Sequence, residues 1–233
     1  AWWFSYRFCW LAVARFVLLG CEAILFPLLD SVQDRYTIHC IGVPYRCGSK
    51  IMNDENPQAL LLIPDGYPVW IDVAQASVEG AGTAMRFVLP LQAHNLPLMH
   101  RRESKLVVAL KGELDIRAGR QRIALLREGE AIKLEPGIAH RIHQHGAGPS
   151  TVGAVLWPGA VEQAFRELAA AALQNTYRRD DMIEILARYD VVWATESHGQ
   201  GPESSTVRPF RDWLADLPEA LAKRLAASWE FVH

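Results

Sequence analysis

The spacing of hydrophobic and polar positions changes along the 233-residue chain. Over residues 58–158, short apolar runs alternate with turn residues, a pattern typical of β-strands. After Trp157-Pro158-Gly159, the apolar positions recur at helical spacing instead. The pattern therefore predicts a β-domain over 58–158, followed by helices.

The predicted strands are short, aliphatic and evenly spaced. They cover 59–63, 69–73, 84–89, 106–110, 114–116, 122–126 and 131–134. A Gly-bearing hairpin turn at 117–120 joins two of them, and no helix-length period interrupts the stretch from His100 to Pro158. This arrangement favours a jelly-roll barrel or a sandwich, so we predict a mainly β fold followed by C-terminal α-helices.

Two helices are predicted directly after the barrel, in a tail over 159–195. The apolar stripe of 160–174 is typical of an amphipathic helix that packs against a sheet. Asp181 resembles the cap of a second, short helix that ends at Arg188. We expect both helices to lie against the barrel.

A polar linker is predicted over 196–208, because the segment is rich in Ser, Gly and Pro. Over 209–233 the apolar positions again suggest one or two helices, with Pro218 near a helix start. Three roles remain open for these last helices: they cap the barrel, lie over its mouth or form a dimer contact.

Residues 1–51 do not share the pattern of the domain. The run from Phe8 to Leu29 approaches the length of a membrane span, but Arg15 and Glu22 interrupt it, and a charge at the bilayer centre costs about 2.5–3.5 kcal/mol. Leu18-Leu19-Gly20-Cys21 resembles a lipoprotein-type cleavage site. We interpret 1–51 as an apolar extension outside the functional domain of a cytoplasmic protein, with a membrane anchor or an export signal as the alternative.

Composition excludes several classes of function. The net charge is −2 and no basic stripe is present, so nothing indicates a nucleic-acid partner. All four cysteines lie before residue 52, which leaves the predicted domain without a disulfide framework or a thiolate zinc site. The sequence also lacks a phosphate-binding Gly-rich loop, a G-x-S-x-G turn and an H-E-x-x-H helix.

Two short motifs in the β-domain resemble the signature of the cupin superfamily. The first comprises His100, Lys105 and Gly112, and the second comprises Gly129 and the run Glu135–His140. The resemblance implies an RmlC-like jelly roll, a double-stranded β-helix with a cavity inside. Over 58–195 the chain is similar to single-domain cupins of the quercetin-dioxygenase-like type, which include metal-dependent dioxygenases.

The resemblance also implies a metal site, which this chain keeps only in part. In the family, the first motif supplies two histidines and a glutamate, and the second supplies a third histidine. By position, His100 and His140 match two of these histidines, whereas Leu98 and Lys105 replace the other two ligands. Because two imidazoles leave most of the coordination sphere to water or substrate, we predict at most a weakly held Fe, Mn, Ni or Zn ion. Alternatively, both histidines are hydrogen-bonded barrel residues.

Other side chains near the motifs have more than one interpretation. Glu103, two residues before Lys105 on the same strand face, and His94, in the preceding loop, are candidate replacement ligands. Lys105 is either a solvated residue at a strand start or a cavity lysine that pairs with a carboxylate or a sugar phosphate. His143 lies on the opposite strand face from His140 and is expected at the surface.

These residues lead to two functional hypotheses. The first is a protein that binds a small molecule in the barrel, with His100 and His140 as metal ligands and with Lys105 and Glu103 as ligand-binding residues. The alternative is a metal-dependent oxidoreductase of the quercetin-dioxygenase-like type, for which the sequence identifies no catalytic residue. The missing glutamate and histidine favour the first. Besides the ligand, a second copy of the chain is an expected partner through an exposed sheet edge, whereas a membrane is not.

Overall fold

The computed structural model describes residues 59–64, 66–174, 177–194 and 206–229. The predicted extension and the four cysteines lie outside these residues. The strands are β1 Leu60–Leu61, β2 Pro68–Val73, β3 Thr83–Leu89, β4 Leu98–His100, β5 Ser104–Lys111, β6 Glu113–Ala118, β7 Gln121–Leu126, β8 Glu130–Leu134, β9 Arg141–His145, β10 Ser150–Trp157, β11 Val191–Trp193 and β12 Val207–Pro209. The helices are α1 Val161–Ala172, α2 Arg179–Arg188, α3 Phe210–Trp213 and α4 Glu219–Ser228.

The barrel is a long antiparallel ladder that is wound into a roll. β6 and β7 form the hairpin at its tip, β5 pairs with β8, and β3 pairs with β10. Between these pairs, the β4 region meets the β9 region through isolated bridges, Leu98 with His140 and His94 with His143. This nested order is that of a double-stranded β-helix, so the predicted fold class is confirmed.

The ladder folds into two facing sheets. The larger has the strand order β1-β2-β3-β10-β5-β8-β12, and the smaller has the order β7-β6-β9. Along β5, Val107 and Ala109 belong to the core inside the barrel, whereas Leu106 and Val108 belong to a second core on the outer face. This alternation follows from the period of two in a strand, and here both faces are buried.

The C-terminal helices form that second core with the outer face of the larger sheet. The side chains they contribute are all buried: Phe210, Trp213, Leu217, Leu221, Leu225 and Trp229. The Trp229 indole N–H donates to Asp72 Oδ2 at 2.8 Å, and the Trp213 indole N–H donates to the carbonyl of Ala131 at 3.2 Å. Of the three roles left open by the sequence, the structure shows a cap on the barrel wall.

Two short strands lie outside the predicted β-domain of residues 58–158. β11 lies in the predicted helical tail and pairs with β4, and β12 includes the last residues of the predicted linker and pairs with β8. The rest of that linker, residues 196–205, lies outside the described residues. α4 begins at Glu219 directly after Pro218, as predicted. In the described part of the chain, no helix combines the length and apolarity needed to cross a bilayer.

Candidate functional site

Four polar side chains with acid-base chemistry meet inside the barrel. His100 ends β4, Glu103 precedes β5, Lys105 is the second residue of β5, and His140 precedes β9. Their exposed fractions are 3%, 5%, 5% and 2% respectively. Charged and polar groups are rarely buried so completely unless they are paired, so the partners of each group determine what the site can do.

Strand geometry explains why Lys105 points inward. It lies on the same side of β5 as Val107 and Ala109, two core residues inside the barrel. Its neighbours on the adjacent strands are Leu134 and Leu156. The ammonium therefore projects from an apolar wall, and the alternative of a solvated Lys105 is wrong.

The turn of the second motif brings His140 next to His100. Gly137 adopts a φ of 86°, a conformation that favours glycine, and its N–H donates to the carbonyl of His100 at 2.7 Å. Backbone hydrogen bonds between Leu98 and His140 then join the two segments. As a result, the imidazole rings of His100 and His140 lie 6.2 Å apart between centroids, with planes inclined by 26°.

Glu103 fixes the orientation of His100 and also binds the start of α1. Its Oε2 accepts from His100 Nδ1 at 3.0 Å, while its Oε1 accepts from the N–H groups of Ala160 and Val161 at 2.6 and 2.9 Å. These N–H groups are among those that a helix N-terminus leaves unpaired. Because Nδ1 carries the proton, Nε2 of His100 presents a lone pair. It is buried, and no described residue donates to it.

His140 is held in the same tautomer by its own backbone neighbour. Its Nδ1–H donates to the carbonyl of Ile138 at 3.1 Å, so Nε2 is free to accept from Lys105 Nζ at 3.0 Å. An ammonium has three N–H donors. Across the described ranges, His140 is the only hydrogen-bond partner of Lys105, so two of its donors remain available.

Burial sets the charges in this cluster. It lowers the pKa of Lys105 to about 8, although the nearby Glu103 carboxylate opposes the shift. It also lowers the pKa of His140 well below the usual value, with further lowering by the charge of Lys105. Burial lowers the pKa of His100 as well, and the hydrogen bond that its Nδ1–H donates to Glu103 opposes this shift. At neutral pH both imidazoles are therefore neutral, and Lys105 is the cation.

The side-chain atoms of this cluster that could coordinate a metal do not suit a divalent cation. The lone pair of His140 Nε2 accepts a hydrogen bond from the Lys105 ammonium, and both oxygens of Glu103 accept hydrogen bonds from His100 and from the start of α1. The side chain of Leu98 has no atom that can coordinate a metal. Among the residues that the structure describes, no group of three or more His, Cys, Asp or Glu side chains is arranged to hold a metal ion. A metal held by His100 and His140 would require Lys105 to move or to lose its proton.

The other candidate residues occupy different places from those expected. Glu103 reaches the site, but as the partner of His100 and α1 rather than as a free ligand. His94 lies outside the cluster, where its ring contacts that of His143 with 5.1 Å between centroids. His143 is half-buried rather than at the surface, and burial, followed by the charges of His94 and Arg117, lowers its pKa to about 4.

Neither a protein-family model nor a curated protein matches the chain. Solved structures that resemble it include an uncharacterized conserved protein with a double-stranded β-helix domain from Klebsiella pneumoniae, at 14% identity over 47% of this chain and 84% of that one, with a TM-score of 0.36. An RmlC-like cupin from Shewanella frigidimarina is 12% identical over 49% and 96%, with a TM-score of 0.37. A predicted oxalate decarboxylase from Thermotoga maritima is 17% identical over 43% and 90%, with a TM-score of 0.38. The nested strand order, rather than these distant similarities, identifies the barrel as a double-stranded β-helix.

Proposed function

We propose that this chain is a cupin-fold protein that binds a small anionic molecule at Lys105, between His100 and His140, without a metal. The observation that carries the proposal is the buried ammonium of Lys105, whose hydrogen bond goes to a neutral imidazole. A buried charge is costly unless it is paired. A carboxylate or phosphate of a ligand would supply the missing counter-charge.

The nearby Glu103 carboxylate acts on Lys105 through its charge but makes no hydrogen bond to it. Both oxygens of Glu103 are engaged by His100 and by the N-terminus of α1. Lys105 also lies between Leu134 and Leu156 on the two neighbouring strands, and an apolar wall with few fixed polar groups is the usual form of a small-molecule site. In such surroundings a charge-assisted hydrogen bond is stronger than in water.

The proposal is tested by measuring carboxylate and phosphate binding to the full chain and to two lysine variants. Propionate, benzoate and inorganic phosphate are titrated and followed by NMR. Lys105→Met keeps an unbranched side chain, one atom shorter, and removes its charge. Lys111→Met is the matched control, because Lys111 is exposed at the far end of β5.

We expect at least one of these anions to bind the wild-type chain and the Lys111→Met variant equally. In Lys105→Met its affinity should fall at least about tenfold, since the variant lacks the charge-assisted hydrogen bond. If none of the probes binds the wild-type chain, or if Lys105→Met binds as well as the control, the proposal is wrong.

A metal-dependent oxidoreductase is the second candidate, and the unpartnered Nε2 of His100 favours it. Elemental mass spectrometry of the full chain, purified without chelator, separates the two candidates. A near-stoichiometric metal that disappears in the His100→Ala, His140→Ala double variant would support the oxidoreductase and contradict a metal-free site. Our proposal expects no stoichiometric metal in either protein.

A further inference from the structure

Two complementary sets of hydrogen-bonding atoms in the barrel have no partner within the described residues: two of the three N–H donors of Lys105, and the Nε2 acceptor of His100. Lys105 has donors to spare, and they carry a positive charge. His100 Nε2 is an acceptor that is fully enclosed, on a side chain that is only 3% exposed. Buried polar atoms without a partner are uncommon in folded proteins, so a pair of opposite type in one cluster indicates a ligand with a matching pair.

The acceptor character of His100 Nε2 is built into the fold. Glu103 accepts the Nδ1 proton, and it is itself held by the backbone of Ala160 and Val161. For Nε2 to become a donor while Nδ1 keeps its proton, the imidazole would have to become a cation. Burial and the nearby ammonium of Lys105 both oppose that change. A ligand group that meets Nε2 must therefore donate a hydrogen bond.

We propose that the ligand is a hydroxy acid, whose carboxylate accepts from Lys105 and whose hydroxyl donates to His100 Nε2. This inference rests on the proposed function, because it names the class of anion that binds at Lys105. A simple carboxylate would satisfy the lysine and leave the histidine unpaired. A keto acid would place its carbonyl oxygen, an acceptor, against His100 Nε2, which also accepts. An amino acid would bring its ammonium close to that of Lys105, and the two positive charges would repel.

The test compares acids that differ only in the group beside the carboxylate. Lactate, as each enantiomer, propionate and pyruvate are titrated into the full chain, and dissociation constants are measured by NMR. We expect one lactate enantiomer to bind at least about tenfold more tightly than propionate and pyruvate, because only lactate pairs with His100 Nε2.

A histidine variant and a matched control assign the preference to one residue. His100→Phe keeps a ring in place and removes the acceptor, so lactate and propionate should then bind equally. His94→Phe changes a histidine outside the cluster and should retain the wild-type preference. If His100→Phe does not fold, the ¹⁵N resonance of His100 Nε2 in the wild-type chain provides a second measurement. It should shift when lactate binds and stay in place when propionate binds.

The outcomes separate this inference from the proposed function. Equal affinities for lactate, propionate and pyruvate in the wild-type chain would overturn the hydroxy-acid assignment and leave anion binding at Lys105 intact. A preference that survives in His100→Phe, or an Nε2 resonance that responds to both acids alike, would also overturn it. If no acid binds, both proposals fail together.

Discussion

Lys105 determines the charge of the barrel site, and its protonation changes within the pH range of ordinary buffers. Burial lowers its pKa to about 8. A bound anion favours the charged form and raises that pKa again. Anion binding and proton binding at Lys105 are therefore coupled, and the affinity for the anion must depend on pH.

We expect the affinity for a carboxylate that binds the site to be constant from about pH 6 to 7. Above about pH 8 it should fall by up to about tenfold per pH unit, because an increasing fraction of Lys105 must first take up a proton. Titrations of lactate or propionate across this range measure the effect. An affinity that is unchanged up to about pH 10 would show that the ammonium does not hold the ligand.

Replacing Glu103 should weaken the folded state as well as the site. In Glu103→Gln, a single amide oxygen has to serve the His100 Nδ1–H and the N–H groups of Ala160 and Val161, so at least one of these donors loses its acceptor. We expect the free energy of unfolding to fall by about 1–3 kcal/mol, as measured by urea denaturation. The same substitution at Glu184, which is exposed on α2, should change it by less than about 0.5 kcal/mol.

The sequence identified the members of the cluster but not their connections. His100, Lys105 and His140 follow from the motif positions alone. The strand face from which the side chain of Lys105 projects does not follow from the motif. Residues Leu106 to Leu110 are apolar on both faces, so no alternation of polar and apolar positions shows which face is inside. The hydrogen bonds from Ala160 and Val161 to Glu103 join residues that are far apart in the chain, and no local sequence pattern predicts such a contact.

At the scale of elements, β10 and the residue that follows α4 approach each other closely in the molecule's outer layer. A Cβ added at Gly153 would lie 2.8 Å from the Trp229 ring and 3.1 Å from Leu110. Trp229 itself is fixed by its hydrogen bond to Asp72 and by ring contact with Phe210. The indole therefore has little freedom to move away from a larger residue beneath it.

We expect Gly153→Ala to lower the free energy of unfolding by about 1–3 kcal/mol, the usual cost of overpacking a core. Gly148→Ala is the control, because nothing lies within 4 Å of its added Cβ. Thermal or urea unfolding of both variants, with tryptophan fluorescence as the signal, measures the difference. A Gly153→Ala chain as stable as the control would mean that the Trp229 contact is loose.

Short elements explain most of what sequence patterns missed at this scale. β11 and β12 each span three residues, too few for a period of two to be visible. Both are defined by the strands that they pair with, β4 and β8, rather than by their own composition. The longer strands and α1, with a full amphipathic stripe, were predictable because their periodicity extends over several repeats.

At the scale of the whole molecule, two hydrophobic cores share the larger sheet. One fills the barrel, and the other lies between the sheet and α3 and α4. Strands that are buried on both faces appear as continuous apolar runs, which is why Leu106 to Leu110 shows no polar position. The C-terminal helices are therefore an integral part of the packed domain.

Leu221 offers a direct measure of how much the second core contributes. It is completely buried on α4, so Leu221→Ala should cost about 2–5 kcal/mol, the range for cavities made in a core. Leu173, which is 81% exposed after α1, serves as the control, and its replacement by Ala should cost less than about 0.5 kcal/mol. Equal unfolding midpoints for the two variants would contradict the packing described for α4.

The position of the covering segment within the chain has a consequence for biosynthesis. All strands of the larger sheet except the edge strand β12 have left the ribosome once residue 157 has emerged, but the residues that cover its outer face, 206–229, are translated last among those described. Until they emerge, the nascent barrel presents Leu106, Val108 and Val155 to solvent or to a chaperone. Ribosome-bound chains stalled before α3 should consequently recruit chaperones that recognise apolar surface, and release them when α4 becomes available to pack.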